Sequence, residues 1–551
     1  MTRIHPLNII VAAGLMFIAL GVPVNAQATF NLTLEPIGTY ASGIYDEGGA
    51  EIVAYDSRTR RAFVVNANDT TVDVLDLRQP SNPVKIASIA VSEAGPDLGA
   101  ANSVAVKNGL VAVAVENSDK QAPGIVAFYR SSDLSLIGTI QAGALPDMVT
   151  FTPNGRYVLV ANEGEPDDDY VIDPMGSVTV IDLRRGVHRA VVRHATFEAF
   201  NDDVDELRAA GVRIFGPGAS VAQDLEPEFI AVDARSRRAY VALQENNAIA
   251  TLNIRSAKFT RIRPLGTKDH ALAANRLDPS NRDDGINIAS WPVKGLYQPD
   301  SIAAYTRHGR TYLVSANEGD ARDYDGFSEE LRVKDLEDEG TPLDPDVFDP
   351  SIADDENLGR LKTTSTLGDS DNDGLIDEIY AYGARSFSIW DARTGAQVFD
   401  SGSDFEDITA NFLPAQFNAT NDDNDSFDGR SDDKGPEPEG LDVGNLLGRT
   451  YAFIGLERVG GVMVYDITNP HAPLFQTYVN NRNFDVDVCL QRDVDDDCIT
   501  GAGNSNPAAG DLGPEGIRYV PWYQSPTWTP LLLVGNEVSG TTTVYKIGIA
   551  F

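Results

Sequence analysis

Hydrophobic positions along the chain fall in short β-branched runs broken by turn residues, without the sustained 3.6-residue period of helices. Glu51-Ile-Val-Ala-Tyr is followed by Ala-Phe-Val-Val-Asn66 and by Val72-Asp-Val-Leu-Asp. The same unit opens on an acidic or amide residue and continues into a second strand ending near Asn-Glu. It begins again at Asn102, Asp147, Glu228, Asp300, Glu439 and Glu515. The second strands reach Glu116-Asn117, Asn162-Glu163, Gln244-Glu245, Asn317-Glu318, Leu456-Glu457 and Asn536-Glu537. With turn signals such as Pro153-Asn154-Gly155 between runs, these seven units predict an all-β, seven-bladed β-propeller. A strand near Leu32 to Tyr40, or the final Thr542 to Ile547 strand, is expected to close the ring by joining residues from both termini in one blade. Two packed β domains are the alternative, and the even spread of the repeat argues against them.

The units are unevenly spaced, and extra length in a propeller has to leave through loops. Long insertions are expected at about Asn201 to Asp224, Thr267 to Tyr297, Gly319 to Asp377, Gly402 to Pro438 and Asn480 to Gly513. Loops of such length are commonly functional or disordered.

Four strings carry a family resemblance: Ala316-Asn-Glu-Gly-Asp-Ala-Arg322-Asp-Tyr324, Ser328-Glu-Glu-Leu-Arg-Val-Lys-Asp335, the acidic run Asn421 to Gly440, and Gly535-Asn-Glu-Val-Ser-Gly-Thr-Thr-Thr-Val-Tyr545. Over roughly residues 30 to 550 the chain resembles the choice-of-anchor I domain. That resemblance implies a secreted or surface β-propeller of a kind often labelled alkaline phosphatase. It also implies that anchored members carry the anchor after the domain, so a secreted or periplasmic form is expected here.

Charge narrows the function. The 551 residues hold 82 acidic and 44 basic side chains, a formal net charge of −38. Such a chain lacks the clustered Lys and Arg that nucleic-acid or anionic-membrane binding requires. Most of the excess lies in three stretches, 319–378, 403–440 and 485–498. Residues 1–26 read as a secretory signal: Arg3 precedes an apolar run from Ile9 to Val22, and cleavage is expected after Val24-Asn-Ala26. Residues 27–551 are then one propeller domain. No second apolar stretch is long enough to span a membrane, so no stable insertion is expected. In an exported chain Cys489 and Cys498 are expected to form a disulfide rather than a metal site.

Neighbouring strands run antiparallel, so the start of each first strand and the end of each second strand should share one mouth of the central channel. Asp147, Glu163, Glu228, Glu245, Asp300, Glu318, Glu439, Glu457, Glu515 and Glu537 would then ring that opening. So many carboxylates cannot all stay ionised uncompensated, and calcium, with six to eight oxygen ligands, is the expected compensator. The competing reading is that these acids cap strands and pair with the backbone, Arg385 or Arg458. A second calcium candidate is the loop Asp369-Ser-Asp371-Asn-Asp373-Gly-Leu-Ile-Asp377, which lacks the closing Glu of an EF-hand because Tyr380 stands there. Weaker candidates are Asn421, Asp423, Asp425 and Asp428, and Asp493, Asp495 and Asp497.

Hydrolase, P-loop and dinucleotide motifs do not occur. The function expected is a calcium-loaded propeller presenting its mouth and acidic loops to an unknown ligand or a cell-surface or matrix partner. The alternative is a calcium-dependent phosphoesterase acting through metal-activated water. Its catalytic candidates are Glu163, Glu318, Arg322 and Arg458, with Arg385 and Lys434 as further phosphate neutralisers.

Overall fold

The computed structural model describes residues 31–550. The expected signal segment lies outside the described residues. The fold is all-β and is built on four-stranded antiparallel sheets, of which the described residues form seven. Their first strands are Val53–Asp56, Leu98–Lys107, Pro146–Phe151, Ile230–Val232, Ile302–Arg307, Pro438–Leu446 and Pro514–Val520. Each first strand packs beside the next, and the last returns to the first, so these strands enclose a channel. The channel cavity, about 340 Å³, is lined by Ala54, Val104, Val149, Ala231, Ala303 and their neighbours. Where neighbouring inner strands come closest there is no room for a side chain. A Cβ on Gly440 would meet the Glu515 carbonyl oxygen at 1.8 Å.

Second and third strands are rich in apolar, often β-branched residues and are buried on both faces. Tyr157–Asn162 and Ser177–Asp182, for example, are buried throughout. They form apolar layers between consecutive sheets, such as the cluster of Phe63, Val74, Val104 and Val113. Closure joins the two ends of the described chain. Asn31–Ala41 pairs antiparallel with Thr541–Ala550 from Asn31↔Ala550 to Ala41↔Thr541, so the last sheet holds strands from both termini. Both segments expected to contribute to closure therefore meet in one sheet.

The insertions carry secondary structure and packing of their own. Residues 204–210 and 404–412 are helices. Val293–Leu296 pairs in parallel with Ile379–Ala381, bringing two insertions into one small sheet. Val333, Leu336, Phe348, Leu358, Leu361 and Ile376 build a separate apolar core inside the acidic 319–377 stretch. The acids mask this core in the sequence, because the apolar residues occur singly between them. Among the described residues no helix is long and apolar enough to cross a membrane.

Candidate functional site

A repeated local device sets four of the mouth acids. A residue in the left-handed region (Leu145, φ 44°; Gln298, φ 35°; Glu437, φ 48°; Gly513, φ 68°) precedes a proline, and the acid follows: Asp147, Asp300, Glu439 and Glu515. Proline fixes φ and offers no N–H, so the turn feeds the chain into the channel wall at a set angle. The pairing register shifts at this point in three sheets, between Pro146 and Val149, Pro438 and Leu441, and Pro514 and Ile517. The acid therefore sits in an irregular step of the ladder, which re-aims its side chain.

The recurring Asn-Glu at the end of the second strand is the other half. Asn162, fully buried, donates from Nδ2 to Ser177 Oγ (3.1 Å) and Thr179 Oγ1 (3.0 Å) in the third strand. Asn317 and Asn536 do the same to Ser388 Oγ (2.8 Å) and Thr541 Oγ1 (3.1 Å). The following acid turns the other way. Its backbone N–H reaches back to the left-handed residue: Glu163 to the Leu145 carbonyl (3.0 Å), Glu457 to that of Glu437 (2.9 Å), Glu537 to that of Gly513 (2.8 Å).

The predicted mouth acids do gather. Burial, then the fields of neighbouring carboxylates, raises Asp147 to about 7 and Asp300 to about 8. Burial comes first for Glu537 too, raised to about 7. Burial and acid neighbours push Glu163, Glu228, Glu439 and Glu515 well above the usual range. Glu245 and Glu457 are raised by burial, against the nearby Arg322 and Arg458. Glu228, Glu245, Glu439 and Glu515 each keep one buried carboxylate oxygen, Oε2, that accepts no hydrogen bond. A buried polar oxygen left unpaired is costly, and a cation would satisfy it.

One arc of the mouth is compensated. Lys434 Nζ donates to Glu318 Oε1 (2.9 Å) and lies 3.3 Å from Glu437 Oε2. Arg458 Nε donates to Glu437 Oε2 (2.8 Å), and its Nη1 lies 3.1 Å from Glu457 Oε1. Burial pushes the Glu437 carboxyl up, but Lys434, Arg430 and Arg458 outweigh it and hold the group well below the usual range. Oxygens of Glu318, Glu437 and Glu457 lie within 4.8 Å of one another, close enough to share a metal. The expected pairing with Arg458 is present, whereas Arg385 pairs instead with Glu406 (2.7 Å) in a separate cluster.

Several mouth residues escaped the sequence reading. Glu51, raised to about 8 by burial, Glu537 and Asp147, occupies the unit-start position and could have been included on that ground alone. Glu165, Glu226 and Asp320 come from loops, and only folding brings them in. Asp320 is raised to about 7, chiefly by burial. Arg322 is not at the open mouth. It is 1% exposed, its Nη2 lies 2.9 Å from Glu226 Oε2, its Nη1 3.3 Å from Asp224 Oδ1, and its guanidinium lies over Phe215.

Elsewhere, Asp369, Asp371 and Asp373 converge within 4.8 Å at the surface. Asp377 is not part of that group: its Oδ2 accepts from Ser370 N (3.0 Å) and Oγ (2.5 Å). Asn421 is buried against Glu457 and Arg458, Asp428 is buried, and Asp423 and Asp425 are exposed. Asp493, Asp495 and Asp497 form an exposed turn in which Asp493 Oδ1 accepts from Asp495 N and Asp497 N. It lies beside the Cys489–Cys498 disulfide, which is formed.

Gigasin-3a of Magallana gigas is 31% identical over 212 residues, which cover 36% of this chain and 67% of that protein. The Mesenchyme-specific cell surface glycoprotein of Strongylocentrotus purpuratus is 24% identical over 413 residues, covering 66% of this chain. The matched part is 50% of that relative's length, so the chain spans about half of it. A solved structure, the Myceliophteria thermophila Cps50 (Swd1) β-propeller domain, is 8% identical with a TM-score of 0.41, covering 94% of this chain and all of that one. A likeness that slight bears on nothing here. The choice-of-anchor I domain matches residues 51–470, which include six of the seven inner strands and most of the acidic mouth, and the chain belongs to that family.

Proposed function

We propose that this chain is an exported, seven-bladed propeller, one domain over residues 27–551 after loss of its signal segment. It binds calcium at the carboxylate mouth and uses the loaded mouth and the surrounding insertions to hold a ligand or a surface partner. The observation that carries this is the set of unpaired, buried oxygens on Glu228, Glu245, Glu439 and Glu515. Four unsatisfied carboxyl oxygens at one opening, with no base bonded to them, call for a hard cation with several oxygen ligands. Seven four-stranded sheets with first strands in a closed cycle support the blade count. The cell-surface glycoprotein among the relatives, together with the disulfide, supports an extracellular or periplasmic setting. The exposed loop Asp369, Asp371 and Asp373 would be a further, weaker calcium site.

Metal analysis of the purified chain, followed by melting curves with and without calcium, tests this. Calcium retained through purification and a melting temperature lowered by chelation are expected, because a ligand bound only to the folded state stabilises it. Thoroughly stripped protein that melts identically after calcium is restored would overturn the reading.

A phosphoesterase is the second reading, favoured by one pocket. A space of about 230 Å³ beside the mouth is lined by Lys362, Arg430, Lys434 and Arg458 together with Asp320. It is the place near the mouth where an anion would meet several cations, although each already pairs with Glu330, Asp433, Glu437, Glu318 or Glu457. Hydrolysis of a chromogenic phosphate ester that needs calcium and is lost in Glu163→Gln and Glu318→Gln would establish it. No turnover under any divalent metal would leave the binding reading alone.

A further inference from the structure

The end of the propeller opposite the mouth carries the other sign of charge. First and third strands end there, because neighbouring strands run antiparallel, and short connections join them to the strands that follow. Those connections hold eleven arginines against two acids, Asp133 and Asp233. Contrary to the expectation from a formal charge of −38, cations are clustered here.

A recurring Asp-x-Arg turn builds this face. Asp56, Asp76, Asp182 and Asp391 end strands and accept a hydrogen bond from the backbone N–H two residues on, that of Arg58 (3.2 Å), Arg78 (2.9 Å), Arg184 (3.1 Å) and Arg393 (2.9 Å). An aspartate used in this way closes the turn. The arginine side chain is not needed for it, and all four arginines are exposed. Arg78 and Arg184 fold back onto the same aspartates. Among the described residues Arg58, Arg60, Arg185, Arg189, Arg235 and Arg237 form no ion pair. The basic turns are contiguous from sheet to sheet. Arg58 donates to the Asn108 carbonyl of the second sheet, and Asn108 packs on Gly155 of the third. Asn154 N donates to Ser236 Oγ of the fourth sheet (3.1 Å), from which Arg263 Nη2 reaches the Arg393 carbonyl of the fifth (2.6 Å).

Aromatic rings adjoin these cations. The 521–530 connection presents Trp522, Tyr523 and Trp528, which are 48%, 60% and 70% exposed. The Tyr55 hydroxyl donates to the Gln524 carbonyl (3.2 Å) and seats this connection against the first sheet, where Arg58 and Arg60 follow Tyr55. Trp528 is held at φ 58°, in the left-handed region that bulky side chains rarely adopt.

We propose that this face docks the protein peripherally on an anionic lipid surface, with the arginines at the headgroups and Trp522, Tyr523 and Trp528 in the interface. Guanidinium groups match phosphate oxygens two at a time, and Trp and Tyr settle at headgroup level. A broad ring of short turns fits a plane, whereas a single polymer strand is held by a groove that tracks it. The mouth acids do not cancel the attraction. An eight-residue strand such as Arg310–Asn317 sets the two ends about 25 Å apart, and physiological salt screens charge over about 8 Å. Docking by this face is independent of calcium at the mouth.

The mature chain, kept in EDTA so that no metal bridges the mouth to lipid, is sedimented with vesicles across a salt series. One set is phosphatidylglycerol and phosphatidylcholine in equal parts, the other phosphatidylcholine alone, and tryptophan emission is recorded with each. Binding to the anionic vesicles only is expected, weakening with salt, with blue-shifted emission as Trp522 and Trp528 leave water. The triple variant Arg185→Gln, Arg189→Gln, Arg235→Gln removes three exposed, unpaired charges and leaves the turn aspartates in place. It should lose roughly a hundredfold in vesicle affinity, since each interfacial cation contributes about fivefold. Trp528→Asn, with a side chain that tolerates the left-handed region, should bind more weakly and shift less. No binding to the anionic vesicles, equal binding to phosphatidylcholine alone, or unchanged affinity in the triple variant would each overturn the proposal. Binding of soluble heparin or DNA without binding of vesicles would overturn it too, by assigning the face to a polymer.

Discussion

Glu228 and Glu245 lie close together at the channel mouth, where burial and then the Glu245 carboxylate push Glu228 up, and each keeps a buried oxygen that accepts no hydrogen bond. Carboxyls crowded and buried in this way favour the protonated form, and the same pressure acts around the mouth. Glu51, Asp147, Asp300 and Glu537 stand at about 7 to 8 in the folded, metal-free chain, above the ordinary carboxylate range. The folded state therefore holds more protons than the unfolded one between the two sets of values. That contribution to stability is complete at about pH 4 and below, and it is lost as pH rises through 7 to 8. Metal-stripped protein should thus show a melting temperature that falls steadily from pH 5 to pH 8, and calcium should flatten the slope. Scanning calorimetry across that range checks it; a stripped protein that gains stability with rising pH contradicts it.

Arg322 is buried between Asp224 and Glu226, where removal of one partner strands charge rather than deleting a contact. Arg322→Met should cost about 3–5 kcal/mol in denaturant unfolding. A loss under about 1 kcal/mol would mean that the two carboxylates find water or protons without disturbance.

The Cys489–Cys498 bridge closes a loop of nine residues' separation, with Cys489 packed against Tyr45, Val488, Ala509 and Leu512. Chain-entropy arguments allow about 2–3 kcal/mol for a loop so short. Cys498→Ser should lower the melting temperature modestly and open residues 485–500 to proteolysis first. Cleavage elsewhere before this loop would show that the bridge is not what orders it.

Asp371 stands fully exposed among Asp369 and Asp373, and its carboxyl is raised first by Asp373. Asp371→Asn relieves that repulsion. Without metal the variant should melt no lower than wild type, and with calcium it should gain less than wild type does. Differential scanning fluorimetry with a calcium titration separates the two effects.

Much of the fold was legible because a strand buried on both faces reads as an unbroken apolar run, as in Tyr157 to Ala161. The mouth was legible for a different reason: Asn162 and Glu163 recur as a pair because one must bond into the sheet while the next faces the opening. Arg322 was misread as available to a ligand because its partners Asp224 and Glu226 lie about a hundred residues earlier, and nothing in the local sequence announces them. The core of Val333, Leu358 and Ile376 was missed because its residues occur singly between acids, with no period to betray them.

Leu32, 1% exposed, packs with Tyr545 and Ile547 across the strands that close the ring. Leu32→Ala should cost about 2–5 kcal/mol. Because it loosens the one sheet shared by both termini, the loss should appear as a single global transition; a separate early melting step would show that closure is not cooperative with the remaining sheets.

That pairing also gives the molecule a direction. Ala41 and Thr541 lie at the mouth end of the closing sheet, since Asn536 beside Thr541 leads into Glu537, while Asn31 and Ala550 meet at the far end. The insertions all follow second or fourth strands, so they too emerge on the mouth side. The far side carries only the connections from first to second and from third to fourth strands, including the exposed Trp522, Tyr523 and Trp528. A tether attached at the Asn31 and Ala550 end of the closing sheet would hold the protein by its back, with the acidic mouth and every elaborated loop turned outward.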